Sequence, residues 1–234
     1  MKTNDLLQKD VQDAIRWERA LKGAEIDVNA NDGIITLTGW VDSYGKKIKA
    51  EQATKSVTGV QAIIEKIIVS HGTGIEKSDE DLAKDVLNAL KWNWEIPNEK
   101  VKVKVENGWI TLEGETEWNY QKEAAQNTIT KVEGIKGITN AIVTKSDSLD
   151  KVELEDIESA LKRNWAVSDA DIKVFVSGSE VTLNGNVGSL YGKDEAGRIA
   201  WNAPGVWAVN NNLKVEYYGR QIDKNERPVL SELM

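Results

Sequence analysis

The chain contains no cysteine and a single histidine. Disulfides, thiolate metal sites and cysteine nucleophiles are therefore excluded, and the several nitrogen or sulfur ligands that zinc or other transition metals need are missing. His71 stands alone beside Gly72-Thr73-Gly74, a tract with no Gly-Lys-Ser/Thr and no following Rossmann pattern. A phosphate cradle is not indicated there, and a solvated linker histidine accounts for it. Long apolar runs are also absent. The longest, such as Ile67-Ile68-Val69, are a few residues, whereas a spanning helix needs about 20. Basic charge is in deficit, with 30 Lys+Arg against 38 Asp+Glu and a net charge of −8. Such a chain repels polyphosphate backbones at long range, so nucleic acid is not an expected partner.

What is present is an ordinary globular composition, 40% hydrophobic and 29% charged, from which a folded protein is expected. The opening residues Met1-Lys2-Thr3-Asn4-Asp5 carry no apolar h-region. A cytoplasmic location is the expectation, or a periplasmic one if the N-terminus has been trimmed.

The chain repeats itself. Gly33-Ile34-Ile35-Thr36-Leu37-Thr38-Gly39, Gly108-Trp109-Ile110-Thr111-Leu112-Glu113-Gly114 and Ser179-Glu180-Val181-Thr182-Leu183-Asn184-Gly185 are three versions of one segment, each followed 20 residues later by Gly59, Gly134 or Gly205. The copies are offset by 75 and then 71 residues, so a linker changes length while the unit does not. Modules are expected at 1–70, 78–145 and 150–216, with linkers at 71–77 and 146–149 and a C-terminal tail at 217–234.

Within each unit the hydrophobic period changes in the same order. Val11, Ala14 and Ile15, matched by Val86, Ala89 and Leu90 and by Ile157, Ala160 and Leu161, predict a first amphipathic helix. Ser78-Asp79-Glu80-Asp81 reads as its N-cap in the second unit. Ile26 and Val28, Val101 to Val105 and Ile172 to Val176 alternate with polar residues as half-buried strands do. Asn31-Asp32-Gly33, Asn107-Gly108 and Ser177-Gly178 then predict tight hairpins. A second helix carries Ala50, Ala125 or Ala196, and a third strand follows. Gly33, Gly39, Gly59, Gly108, Gly114, Gly134, Gly185 and Gly205 are expected to be structural turn glycines. The fold class is α+β, three tandem α-β-β-α-β modules, each a three-stranded mixed sheet with two helices on one face. The other face stays open and should show Lys102, Lys104, Trp109 and Thr111, and Lys173, Phe175 and Thr182.

This unit, helix, x-V-x-V, G-x-(I/V)-x-L-x-G, small-residue helix and apolar strand, resembles the BON domain of bacterial osmotic-stress and nodulation proteins. The resemblance covers about residues 5–70, 78–145 and 150–216, with Ser179 in place of the first glycine. It implies a non-enzymatic module, usually in tandem, proposed to bind phospholipid under osmotic stress. It carries over no catalytic residue and no cofactor, and no metal site is expected.

Nine tryptophans against one phenylalanine is the unusual feature, because indoles favour sites half apolar and half wet. Trp92 and Trp94 fall on opposite flanks of their helix stripe, Trp17 matches Trp92, and Trp165 matches Trp94. The simpler role for these indoles is capping the core or filling contacts between copies. The alternative is a ligand or partner surface made by Trp17, Trp92, Trp94, Trp109, Trp118 and Tyr120, with the second unit richest in them. Partners consistent with that surface are membrane phospholipid or a protein, a self-association scaffold being the alternative function and small-ion binding a further one.

Overall fold

A computed structural model describes residues 2–70, 77–145, 152–168 and 170–216. His71, Gly72-Thr73-Gly74, the linker 146–149 and the tail 217–234 lie outside the described residues. The order α-β-β-α-β occurs three times. The first module contains α1 (Asn4–Trp17), β1 (Glu25–Asn31), β2 (Ile34–Val41), α2 (Tyr44–Ser56) and β3 (Ala62–Val69). The second contains α3 (Asp79–Trp92), β4 (Val101–Glu106), β5 (Trp109–Thr116), α4 (Asn119–Ile129) and β6 (Gly137–Thr144). The third contains α5 (Leu154–Arg163), β7 (Asp171–Ser177), β8 (Glu180–Val187), α6 (Leu190–Trp201), β9 (Ala208–Asn211) and β10 (Lys214–Val215).

Each first helix starts and buries itself as its sequence dictates. Thr3 and Ser78 accept hydrogen bonds from the backbone N–H of Leu6 and Asp81, satisfying donors the helix leaves free. The stripe Leu7, Val11, Ile15 is buried in α1, and Leu82, Val86, Leu90 in α3. Asp79 does more than favour the dipole. Its two carboxylate oxygens accept from the N–H groups of Asn107 and Gly108 at 2.7 and 2.9 Å, fastening the hairpin turn to the helix start. Asn4 does the same for Asp32 in the first module.

The hairpin turns explain the one departure in the repeat. Asp32 and Gly33, and Asn107 and Gly108, all have positive φ, as a type I′ turn requires. In the third module only Gly178 does, at φ 63°, which is the type II′ pattern, so Ser179 needs no left-handed backbone. Gly39, Gly114 and Gly185 are corrected in role. They lie inside the central strands, not in turns, and a Cβ on any of them would overlap a backbone carbonyl of the neighbouring strand, that of Glu25, Lys100 or Asp171. The close approach, with φ of 119 to 130°, admits only glycine.

In every sheet the second strand is central, antiparallel to the first and parallel to the third. The third module interrupts its last strand at Asn212-Leu213, and both pieces, β9 and β10, stay parallel on β8. The second helices lie against the same face as the first through Ala50, Ala125, Ala196 and Ala200, all fully buried.

These second helices also join the modules, head to tail. Tyr44, first residue of α2, is 8% exposed, and its hydroxyl is hydrogen-bonded at the Ile138 backbone of the second module, with burial raising its pKa. Gly45 sits against the Thr130 carbonyl. At its other end α2 meets α6, with Lys55 paired to Asp194 at 2.9 Å. Glu123 of α4 in turn faces Arg198 and Glu195 of α6. Val215 at the end of the third module lines one 240 Å³ cavity with Lys2, Thr3 and Leu7 at the start of the first. Each of the three modules thus touches the other two, closing a ring with the second helices at the joints.

Candidate interaction surface

The chain leaves each first helix at an equivalent corner. Glu18, Asn93 and Asn164 are the C-caps, each in extended conformation. In the second and third modules an asparagine clamp sets the corner's shape. Asn93 donates to the Thr128 hydroxyl of α4 at 2.8 Å and accepts from the Glu95 N–H at 3.0 Å. Asn164 donates to Glu195 at 2.8 Å and accepts from the Ala166 N–H at 2.9 Å. The residue between clamp and acceptor turn is Trp94 in one case and Trp165 in the other. Its backbone is pinned while its side chain points away from the core.

Four indoles stand there almost bare. Trp17, Trp92, Trp94 and Trp165 are 89, 87, 89 and 80% exposed. The expectation that they cap the core or fill contacts between copies is therefore corrected for these four. The boundary positions face solvent because the stripes are already filled by smaller aliphatic residues and the hub is made by the second helices, not the first. Trp165 alone gains a neighbour, stacking on Tyr191 with ring centroids 5.9 Å apart. A buried indole removes about 150–250 Å² from water, so at about 25 cal/mol per Å² each has several kcal/mol of unrealised burial.

The remaining predicted residues divide. Trp109 lies on the open sheet face, 52% exposed, and its ring lies across Gly137, where a Cβ would overlap it. The signal was in the sequence, since the strand partner of this tryptophan lacks a side chain. Trp118 is half-buried at the start of α4, its backbone N–H donating to the Gln121 side chain at 3.1 Å, while Tyr120 is 46% exposed. Neither joins the helix-end corner. Lys102, Lys104, Thr111, Lys173, Phe175 and Thr182 lie on the open faces as their alternation predicts, none of them buried.

Trp40, Trp118, Tyr44, Tyr120 and Tyr191 lie where the second strand of their modules gives way to the second helix, where the sequence leads one to expect aromatic residues that brace the neighbouring copy, and Tyr44 is such an intermodule anchor. Sequence reasoning missed one feature. The open face of the first module is apolar, with Ile34, Trp40, Ile64 and Ile68 exposed, and Trp40 donates to Glu25 at 3.1 Å. Alternation shows that these side chains point outward, but their collection into one patch depends on the register Thr36 to Ile64 and Trp40 to Ile68. Among the described residues no group of acidic or histidine side chains is placed to hold a metal ion, and no helix is long and apolar enough to cross a membrane.

The BON domain profile matches residues 3–70, 78–146 and 154–217. Osmotically-inducible protein Y of Escherichia coli is similar over 129 residues at 26% identity, a stretch that is 53% of this chain and 64% of that protein. The chain thus matches less than two thirds of that relative's length. Among solved structures, CdsD, a structural protein of the type III secretion system of Chlamydia trachomatis, is similar at 14% identity over 91% of this chain and 93% of its own, with a TM-score of 0.25. Its C-terminal domain gives 14% identity over 92% and 100%, with a TM-score of 0.23. At those scores the superpositions carry no weight for function.

Proposed function

Because the chain belongs to the BON domain family, we propose that it is a non-enzymatic, stress-associated binding protein that attaches to phospholipid bilayer surfaces through its indole corners. The observation that carries this reading is the repetition of bare indoles, 80 to 89% exposed, at one corner of all three modules. Tryptophan is the side chain that favours the bilayer interface. Corners repeated on all three modules supply several contacts within one chain, so that weak individual contacts combine by effective concentration. The net charge of −8 disfavours attachment by general electrostatics. Binding should therefore occur on zwitterionic vesicles and persist in high salt. The name of the relative, osmotically-inducible, supports a role under osmotic stress.

The test is co-sedimentation with phosphatidylcholine vesicles, together with the emission wavelength of the indoles. The full chain should sediment and shift to the blue. Trp92→Ala with Trp94→Ala should lower the apparent affinity at least tenfold, about 1.4 kcal/mol. Sedimentation equal to that of the unmodified chain removes these residues from the claim.

A second reading, a self-association scaffold, is favoured by the apolar outer face of the first module, where Ile68 is 67% exposed. It predicts a salt-resistant oligomer in sedimentation velocity, dissolved by Ile68→Lys, with no vesicle binding.

A further inference from the structure

The same groove occurs in two modules with different chemistry. In the third module it runs between the end of α5 and β7, with a volume of 210 Å³ and lining residues that include Glu158, Lys162 and Ser168. Its counterpart in the first module, between the end of α1 and β1, has a volume of 620 Å³. The floor is alike in both, Ile15 and Leu21 in one and Leu161 and Val167 in the other. The walls differ. Lys162 is replaced by Arg16, Ser168 by Lys22, and Arg19 enters at the position that Trp94 and Trp165 hold elsewhere. Three cations face one lining carboxylate, Asp27, where the third module has one cation and one carboxylate among the described residues.

The fold does not use up these charges. Arg16 lies in the last turn of α1, where a cation favours the helix dipole, and its link to Asp13 is long at 3.8 Å. Arg19 and Lys22 lie beyond the helix, and neither side chain forms an ion pair among the described residues. Two guanidinium groups and an ammonium around an apolar floor match a tetrahedral oxyanion borne on a small organic body, since guanidinium forks bind phosphate oxygens in pairs. The volume lies in the range of small-molecule sites, about 300–1,000 Å³.

We propose that the groove between α1 and β1 of the first module is a phosphate-ester binding site, in which Arg16, Arg19 and Lys22 hold the phosphate and the Ile15-Leu21 floor holds its carbon substituent. The site is independent of the indole contacts. A lipid headgroup and a soluble ester present the same phosphate, and they are separated by experiment. The full chain and Arg19→Gln/Lys22→Gln are titrated with glycerol 3-phosphate, following amide signals of residues 12–28. Both are also sedimented with phosphatidylcholine vesicles with and without phosphatidic acid. Lys162→Gln in the smaller groove is the control.

A soluble source gives amide shifts that weaken at least tenfold in the double variant and not in the control. A membrane source gives extra sedimentation with phosphatidic acid that the double variant loses while keeping its binding to phosphatidylcholine alone. Either result supports the site. Failure of phosphatidylcholine binding with these responses intact overturns the indole reading and leaves the groove standing. Absence of both responses, or their retention in the double variant, overturns the groove.

Discussion

The two ends of the helical layer contrast in how they treat aromatic residues. At the hub, where second helices meet, Tyr44 is 8% exposed and hydrogen-bonded at the Ile138 backbone of the second module. At the corners, where first helices end, the still larger indoles are 80 to 89% exposed. Ring closure needs the first arrangement, and nothing in the folding of a module needs the second. Stability and binding should therefore separate by position, the hub and strand interiors carrying one and the corners the other.

The largest effect expected is on the strand side of that contrast. Gly114→Val places a side chain against the Lys100 carbonyl at a φ of 129°, and should cost more than about 4 kcal/mol, the range of severe backbone and packing defects. Gly188→Ala enters open space and should lie within about 0.5 kcal/mol of the parent. Urea titration followed by circular dichroism measures both. Equal midpoints for the two variants would contradict the strand geometry.

Next comes the hub. Tyr44→Ala removes a buried ring at the joint of the first two modules, whose cores form one continuous cluster, and should cost about 3 kcal/mol. Trp92→Ala with Trp94→Ala should change the same urea midpoint by no more than about 0.5 kcal/mol, as exposed substitutions do. A tryptophan pair that destabilises as much as Tyr44→Ala would mean that the corners are structural after all and would erase the comparison.

The modules were legible because each is encoded locally. Glycine at 39, 114 and 185 reports a carbonyl that only glycine admits, and the spacing to Gly59, Gly134 and Gly205 reports a helical crossover of fixed overall length. The first three lie inside strands of unbroken register and not in turns. A glycine required by a close strand neighbour and a glycine required by a turn look alike in sequence, so the sequence alone does not separate the two roles. The corner indoles were legible as boundary positions. Their degree of exposure was not, since periodicity gives direction and says nothing of what covers a residue. The hub was legible only in part, through the aromatic residues that include Tyr44. Tyr44, Asn119 and Leu190 share a position without sharing a chemistry, and contacts between modules leave no period in the chain. The cationic groove escaped notice because Arg16, Arg19 and Lys22 are interspersed with Glu18 and become neighbours only once the chain turns back into β1.

The smallest effect expected is electrostatic and lies inside the hub. Burial raises the pKa of Glu123 above the usual carboxylate value, against the opposing influence of the Asn119 hydrogen bond and the Arg198 charge, with Glu195 adding to the rise. An acid whose folded-state pKa is raised binds its proton more tightly when folded. Its contribution to stability is therefore fully present below the unfolded pKa and is lost as the pH rises through the folded one. At neutral pH the charged Glu123 is a burden on the hub, so Glu123→Gln, which keeps the shape and an acceptor for Asn119, should raise the melting temperature slightly at pH 7. That advantage should vanish in acid, below the ordinary glutamate pKa, where the parent side chain is itself neutral. Glu195, on the facing helix, has its pKa lowered by its Arg198 hydrogen bond, so Glu195→Gln should show the opposite sign, destabilising at pH 7 and losing its effect in acid. Melting curves of the two variants at pH 7 and in acid decide the matter: the same sign for both would mean that the α4–α6 joint does not hold the two carboxylates in opposed environments.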